Sequence, residues 1–177
     1  MSLIRVFAIS MLCVTLLVAI PLGAQQTSPT VNPADVVPDK MPFDVPYGAP
    51  ISLERANAAI SAAAAEAKKR DWKMNITVVD AGGNLVAFQR MDGAQLASIQ
   101  ISQHKARWAA LTRRETKAYE NAIQFSNSVA TLDGIIASRG GIPLIEGGKI
   151  IGAIGCSGGV GSQDEVTCKA GAATINK

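Results

Sequence analysis

The sequence predicts an α+β domain, an antiparallel sheet flanked by helices, from three observations. An alanine-rich run without helix breakers opens the domain at Ile51. Two pairs of short apolar runs then surround Gly-Gly, once in "AGGN" and once in "EGGK". Each hairpin signal is followed by a stretch of helical periodicity, so the order reads helix, hairpin, helix, hairpin, helix.

Ahead of that domain stand two segments of different character. Residues 1–24 carry one charge, Arg5, then an uncharged apolar run to Ile20 and a small residue, Ala24, suited to cleavage. This is the layout of a secretory signal peptide, and the run is short for a membrane span. Cys13 lies within that run, a poor place for lipid attachment. Cleavage after Ala24 leaves 16 basic against 14 acidic residues, a charge of +2, which argues against a dedicated nucleic-acid binder. No membrane contact is expected after cleavage. Residues 25–50 hold six of the eight prolines, which block helices and ladders and favour extended chain. The first half reads as a tether. The second, "MPFDVPYGAP", has the apolar residues to lie along a partner subunit or along the domain's own surface.

The domain itself spans residues 51–177. Leu53, Ala56, Ile60, Ala63, Ala64 and Ala67 recur at helical spacing behind Ser52, an acceptable cap, and Lys68, Lys69 and Arg70 suit the helix C-terminus. "KMNITVVD" and "NLVAFQRM" read as strands of a first hairpin, with Asp80 and the glycines supplying turn chemistry. "AQLASIQISQHKARWAALTRR" reads as a second helix, for which Asp92 is a candidate cap. Residues 115–129 read as irregular chain with a further helical turn. "IPLIE" and "KIIGAIGCSG" form a second hairpin, and "SQDEVTCKAGAATINK" closes the chain as a helix in which Ser162 and Glu165 fit a capping box. Cys156 and Cys168 remain after cleavage. In an exported chain they form a disulfide or stay as two separately buried thiols.

Four blocks, "VVDAGGNLVAFQRMDGA", "HKARWAA", "RGGIPLIEGGKIIGAIGCSGG" and "SQDE…AGAA", together resemble the GlcG/HbpS family of haem-binding proteins. The resemblance runs from about Ile51 to the C-terminus, and its specificity lies in four blocks in the right order. It implies a profilin-like fold with an antiparallel sheet of about five strands flanked by helices. It also implies homo-oligomers, from dimers to octamers. Members are linked to haem binding, iron sensing, glycolate or diol metabolism and cobalamin-related enzymes, so the family predicts a fold and leaves the ligand open. Two residues depart from the pattern. Trp108 stands where many members carry a smaller residue, and Cys156 replaces an aliphatic one.

His104 is the chain's only histidine and the candidate metal ligand, since imidazole commonly binds haem iron. Gln100, Ile101, Trp108 and Leu111 share its face of the second helix. The plainer reading is a surface or interface histidine beside Trp108. No C-x-x-C-H occurs, which excludes covalent c-type attachment. Met91 is a second soft ligand or a gap-filling core residue. Lys105, Arg107, Arg113, Arg114 and Lys117 make a basic stretch that suits propionates or another organic acid, or else a solvated helix face. Arg90 and Met91 are expected to wall a site beside the His104–Lys105 face. The loop "CSGGVGSQDE" feeds a helix start that can hold an anion, but lacks G-K-[ST]. Asp80, Asp92, Glu146, Asp164 and Glu165 are the notable acids, and no spacing among them places two together for acid–base work.

The sequence therefore reads as an exported, periplasmic or secreted, homo-oligomeric protein that binds a small molecule, with haem the expected cofactor. His104 is the metal ligand, Trp108 and Met91 are walls, and Arg90, Lys105 and Arg113 are anion partners, with no catalytic residue assigned. The alternative is an enzyme or accessory protein of hydroxy- or oxo-acid catabolism using the same pocket, with Arg90 and Asp92 positioning the acid. A third reading is an assembly scaffold whose pocket Trp108 fills.

Overall fold

The computed structural model describes residues 35–176. The expected signal peptide and the first part of the proline-rich segment lie outside the described residues. In chain order the elements are α1 (Leu53–Lys69), β1 (Asn75–Asp80), β2 (Leu85–Arg90), α2 (Ser98–Thr112), α3 (Lys117–Ala122), a 3-10 turn (Asn127–Thr131), β3 (Gly141–Glu146), β4 (Lys149–Ser157) and α4 (Gly161–Ala172). The strands form one sheet in the order β2-β1-β4-β3, antiparallel throughout.

Strand alternation divides the sheet into two unlike faces. Ile76 and Val78 of β1, Ile142 and Leu144 of β3, and Ile154 and Cys156 of β4 point to one side. There they meet the alanine face of α1 and Cys168, Ala172 and Ile175 at the end of the chain, forming the main core. The other side is small and partly polar. Val79 and Ala153 pack against Ala106, Ala109 and Ala110 of α2. A Cβ on Gly155 would run into the Ser102 carbonyl, and one on Gly141 into that of Lys105, so glycine at both sites sets how closely α2 approaches. Thr77 and Ser102 join hydroxyls at 2.8 Å across the same contact. Cys156 and Cys168 form a disulfide that ties β4 to α4.

The expected sheet of about five strands has four. Pro46–Ile51 runs beside the start of β4, past the point where β1 stops pairing with it: the Gly48 N–H donates to the Ile150 carbonyl at 2.7 Å, and the Ile150 N–H to that of Pro46 at 2.9 Å. Pro46 and Pro50 have no N–H to donate, so the pairing stops at a single parallel bridge, Tyr47 with Ile150. The second half of the proline-rich segment thus lies on the domain's own surface. The Tyr47 hydroxyl donates to the Leu111 carbonyl at 2.7 Å, and the Arg114 guanidinium lies over Phe43 at 3.3 Å and Tyr119 at 4.4 Å.

Two expected caps move. The Ser52 hydroxyl accepts from the Arg55 N–H at the start of α1, as its position predicts. Ser162 does not cap α4, because the helix begins at Gly161 and the cap position falls on Val160, two residues before Ser162. Gln163 instead accepts from the Val160 N–H at 3.0 Å, and Asp164 from the Gly159 N–H at 3.1 Å. Asp92 does not cap α2, which starts six residues later with no side-chain cap. Its place is the turn after β2, where Gly93 takes φ +78°.

Candidate functional site

The sheet's two faces are not covered equally. α1 packs over β1 and β2, whereas α2 lies over β4, β1 and β3, leaving β2 at its margin. On the α2 side of β2 three residues stand in a row. Leu85 pairs with Val79, Phe88 with Thr77 and Arg90 with Asn75, and directly opposed residues share a face. Thr77 bonds Ser102 of α2, and the Asn75 amide donates to the Gln95 carbonyl just before α2, which fixes that face as the α2 side. With no helix above them, Leu85 is 58% exposed and Phe88 37%.

His104 borders this bare strip. It lies in a shallow groove of about 250 Å³ with Val79, Gly83, Leu85, Gln103 and Arg107. The geometry follows from helical spacing: Gln103, His104 and Arg107 fall on the flank of α2 nearest β2. Arg107 donates to the Gly83 carbonyl at 3.1 Å, pinning the hairpin turn to the helix. That turn is built as its sequence requires, with Asp80 accepting from the Asn84 N–H at 2.9 Å and Gly83 at φ +78°.

The other expected site residues disperse. Arg90 shares the strip with Leu85 and Phe88 but stands four rungs from Leu85, about 13 Å along the ladder. Met91 turns to the opposite side and packs against the main core under α1. Trp108 sits one turn beyond His104 but on the flank facing α3, edge-on to Tyr119 with ring centroids 5.9 Å apart. It fills the space between α2 and α3, and its indole Nε1 is buried without a partner. Arg113 reaches the proline-rich segment, donating to the Val45 carbonyl at 3.3 Å and lying over Tyr47.

Lys105 is the largest departure. The basic stretch suggests a solvated cation, yet its side chain is 1% exposed and points between α2 and the sheet. It donates to Asp164 at 2.7 Å, and Asp164 is itself 3% exposed. Burial pushes the Asp164 carboxyl above its usual range, while Lys105 and the Gly159 N–H pull the other way. Glu146, Glu165 and Glu120 are also tied into ion pairs, whereas Asp92 stands exposed without one among the described residues. Glu146 is bidentate with Arg55, at 2.7 and 2.8 Å. Glu165 gathers Lys117, Arg139 and Lys169, and Glu120 holds Arg139 at 2.6 Å. Burial works against the Glu165 anion, but the lysines bonded to it bring its pKa below the ordinary value; the bond from Arg139 does the same for Glu120. Among the described residues no three His, Cys, Asp or Glu side chains are grouped to hold a metal ion.

Three roomier hollows lie elsewhere. One of about 430 Å³ opens between Trp72, Met74, Gln95 and the Gly158–Gly159 loop, one of about 390 Å³ beside Tyr47, Ala81, Gly82 and Leu111, and one of about 360 Å³ between α3 and the 3-10 turn. The first is bordered by the glycine-rich loop named above as a candidate anion site; none contains His104, Arg90, Met91, Lys105, Trp108 or Arg113.

Comparison with known proteins adds a family context. A family model described as "Haem degrading protein HbpS-like" matches residues 51–173. Protein GlcG of Escherichia coli K12 is 43% identical over 108 residues, covering 60% of this chain and 81% of that protein. Among solved structures, a double mutant of Streptomyces reticuli HbpS superposes with a TM-score of 0.69 at 27% identity, over 82% of this chain and all of the other. A PduOC:heme complex superposes with a TM-score of 0.66 at 25% identity, over 72% and 96% of the two chains.

Proposed function

Because the chain belongs to the HbpS-like family, we propose that it is a small-molecule-binding protein whose ligand is haem, seated over the α2 side of β2. The observation that carries this reading is the meeting of an exposed imidazole, His104, with the uncovered apolar strip of Leu85 and Phe88. A haem site needs apolar surface for the ring, a donor for the iron and cations for the propionates. The residues fit each need. Leu85 and Phe88 supply the surface and His104 the nitrogen, while Arg107 beside it and Arg90 at the far end of the strip supply charge. Lys105 takes no part, being committed to Asp164. When bound, haem supplies a redox-active iron. The chain's part is to shield one edge of the ring and to fix its orientation through His104.

The haem complex of the PduOC relative supports this choice of ligand. A disulfide between Cys156 and Cys168 suits an oxidising compartment, and with the apolar N-terminal run it supports a periplasmic or secreted location. The hydroxy-acid alternative gains no support from the acids, because Asp92 stands exposed in the turn after β2, outside the His104 groove.

Hemin titration tests the proposal. A saturable, red-shifted Soret band is expected, weakened at least tenfold in affinity by His104→Ala. Hemin uptake that does not saturate, or that is indifferent to His104→Ala, refutes the assignment.

A further inference from the structure

Tyr47 stands half in solvent, 47% exposed, yet it is held from every side. Its hydroxyl donates to the Leu111 carbonyl at 2.7 Å, and the Arg113 guanidinium lies 5.5 Å from the centre of its ring. The backbone on either side of it is bonded to Ile150 of β4, and Pro46 and Pro50 restrict the chain further. Holding an exposed ring in place costs side-chain entropy, and the isolated chain recovers only part of that by burial. A ring ordered in advance lowers the cost of a ligand contact.

The hollow of about 390 Å³ that Tyr47 lines with Ala81, Gly82 and Leu111 lies in series with the His104 groove. His104, Arg107 and Leu111 are spaced i, i+3 and i+7, so they share one flank of α2 over about 10 Å at ~1.5 Å per residue. The first hairpin turn runs beside that flank, with Gly83 bordering the His104 groove and Gly82 the second hollow. The divide between the two is the Arg107 side chain, bonded to the Gly83 carbonyl. A Cβ on Gly83 would come within 3.1 Å of Arg107 and 3.3 Å of Leu111, so glycine there lets the turn close on both. Apolar surface continues past the divide: Phe88 and Leu85 stand exposed on one side, Leu111 and Tyr47 on the other. Single exposed apolar residues are ordinary, whereas a run of them on one path marks a binding surface. The His104 groove alone, at about 250 Å³, falls below the roughly 300–1,000 Å³ usual for ligand pockets.

We infer that the proline-rich segment supplies a wall of the ligand site, with a flat ligand held at His104 lying across Arg107 and setting an apolar edge against Tyr47 and Leu111. This rests on the reading of a flat ligand at His104 given above. It also orients that ligand. The hollow beyond Arg107 is lined by tyrosine, alanine, glycine and leucine, with no charged side chain, so it takes an apolar edge of the haem ring. The propionates stay on the near side of the divide, toward Arg107 and Arg90. The family match begins at residue 51, so Tyr47 is a contact that this chain adds from outside the shared domain.

Hemin titration and hydrogen exchange of the purified protein test this. Tyr47→Ala should weaken hemin binding about tenfold, with the Soret maximum of the complex unmoved because His104 still holds the iron. Tyr47→Phe keeps the ring and gives up the bond to Leu111, and should bind within about twofold of wild type. In the wild type, hemin should slow exchange in the peptides covering residues 43–48 and 81–85. A Tyr47→Phe as weak as Tyr47→Ala places the loss in the hydroxyl tether and overturns the contact. Unchanged exchange in residues 43–48 overturns it as well. The two readings fail separately. Hemin that needs His104 but ignores Tyr47→Ala sinks the Tyr47 wall alone, and hemin that ignores His104→Ala but binds about tenfold more weakly to Tyr47→Ala sinks the iron ligand alone.

Discussion

Lys105→Met separates the surface cation that the sequence suggests from the buried pair that the structure contains. Methionine matches the length and apolar stem of lysine, so the perturbation is the loss of one charge. At a solvated helix face that change costs within about 0.5 kcal/mol. Here it leaves the Asp164 carboxylate buried and unneutralised, because the pair's side chains are 1% and 3% exposed. Removing one member of such a pair costs about 3–5 kcal/mol. For a domain of this size that is a drop in melting temperature on the order of 10–15 °C.

The pH dependence gives a second readout. Burial already raises the Asp164 pKa, and without Lys105 only the backbone N–H groups of Gly158 and Gly159 restrain it. A carboxyl whose folded pKa lies above its unfolded one is tolerated when protonated, and the penalty grows as pH rises from the unfolded value, about 3.9, toward the folded one. The gap between wild type and Lys105→Met should therefore be widest at pH 7 and above, and narrow toward pH 4. Adding Asp164→Asn to Lys105→Met removes the charge, and should recover part of the loss at neutral pH. Thermal melts followed by circular dichroism from pH 4 to 8 measure all three proteins. A Lys105→Met melting point within 2 °C of wild type at pH 7, or a gap that does not change with pH, refutes the argument.

Two further outcomes follow from the same packing. Denatured, unreduced protein should expose no free thiol from Cys156 or Cys168, and Cys156→Ser should cost about 3 kcal/mol for a loop closed over a sequence separation of 12; a thiol assay that titrates both cysteines without reductant contradicts this. Glu120 and Glu165 have lowered pKa values, so their bonds to Arg139, Lys117 and Lys169 stabilise the fold fully above the ordinary carboxylate range, and that stability is lost as pH falls from there through the lower folded values. The stability gap between wild type and Glu165→Gln should accordingly close in acid, and a gap that persists at pH 3 speaks against the network.

The order of elements was legible because it rests on local rules. The alanine stripe of α1, the Asp80–Gly83 turn and the Gly147–Gly148 hairpin all announce themselves within a few residues. The candidate site was legible only in part. His104 was visible as the single histidine, and its place on the second helix followed from spacing. Lys105 was not, since "HKAR" carries no sign of which cation turns inward. That choice is made by Gly141 and Gly155, far along the chain, which let α2 close on the sheet and bring Lys105 to Asp164. Ser162 misled for a smaller reason: the capping pattern S-x-x-E was present, but the helix starts two residues earlier, where Gln163 and Asp164 satisfy the N–H groups of Val160 and Gly159.

The strip on β2 was hidden by a different kind of nonlocal fact. Under strict alternation "LVAFQR" puts Leu85 on one face with Ala87 and Gln89, and Phe88 on the other with Val86 and Arg90. No apolar strip results, and Leu85 joins the side that α1 covers. In the structure Val78 pairs with Ala87 and Val79 with Leu85, so Val86 is an extra residue in the ladder. A bulge shifts the alternation by one. It carries Leu85 onto the face of Phe88 and Arg90, beside His104. The bulge leaves no mark in the sequence, because Val86 is as suited to a regular strand as its neighbours. Nothing in the fold of one chain requires it, since Leu85 becomes more exposed, not less. An exposed leucine placed by an extra residue next to an open strand edge is a cost to the isolated chain. The flat apolar ligand proposed for that strip would offset it.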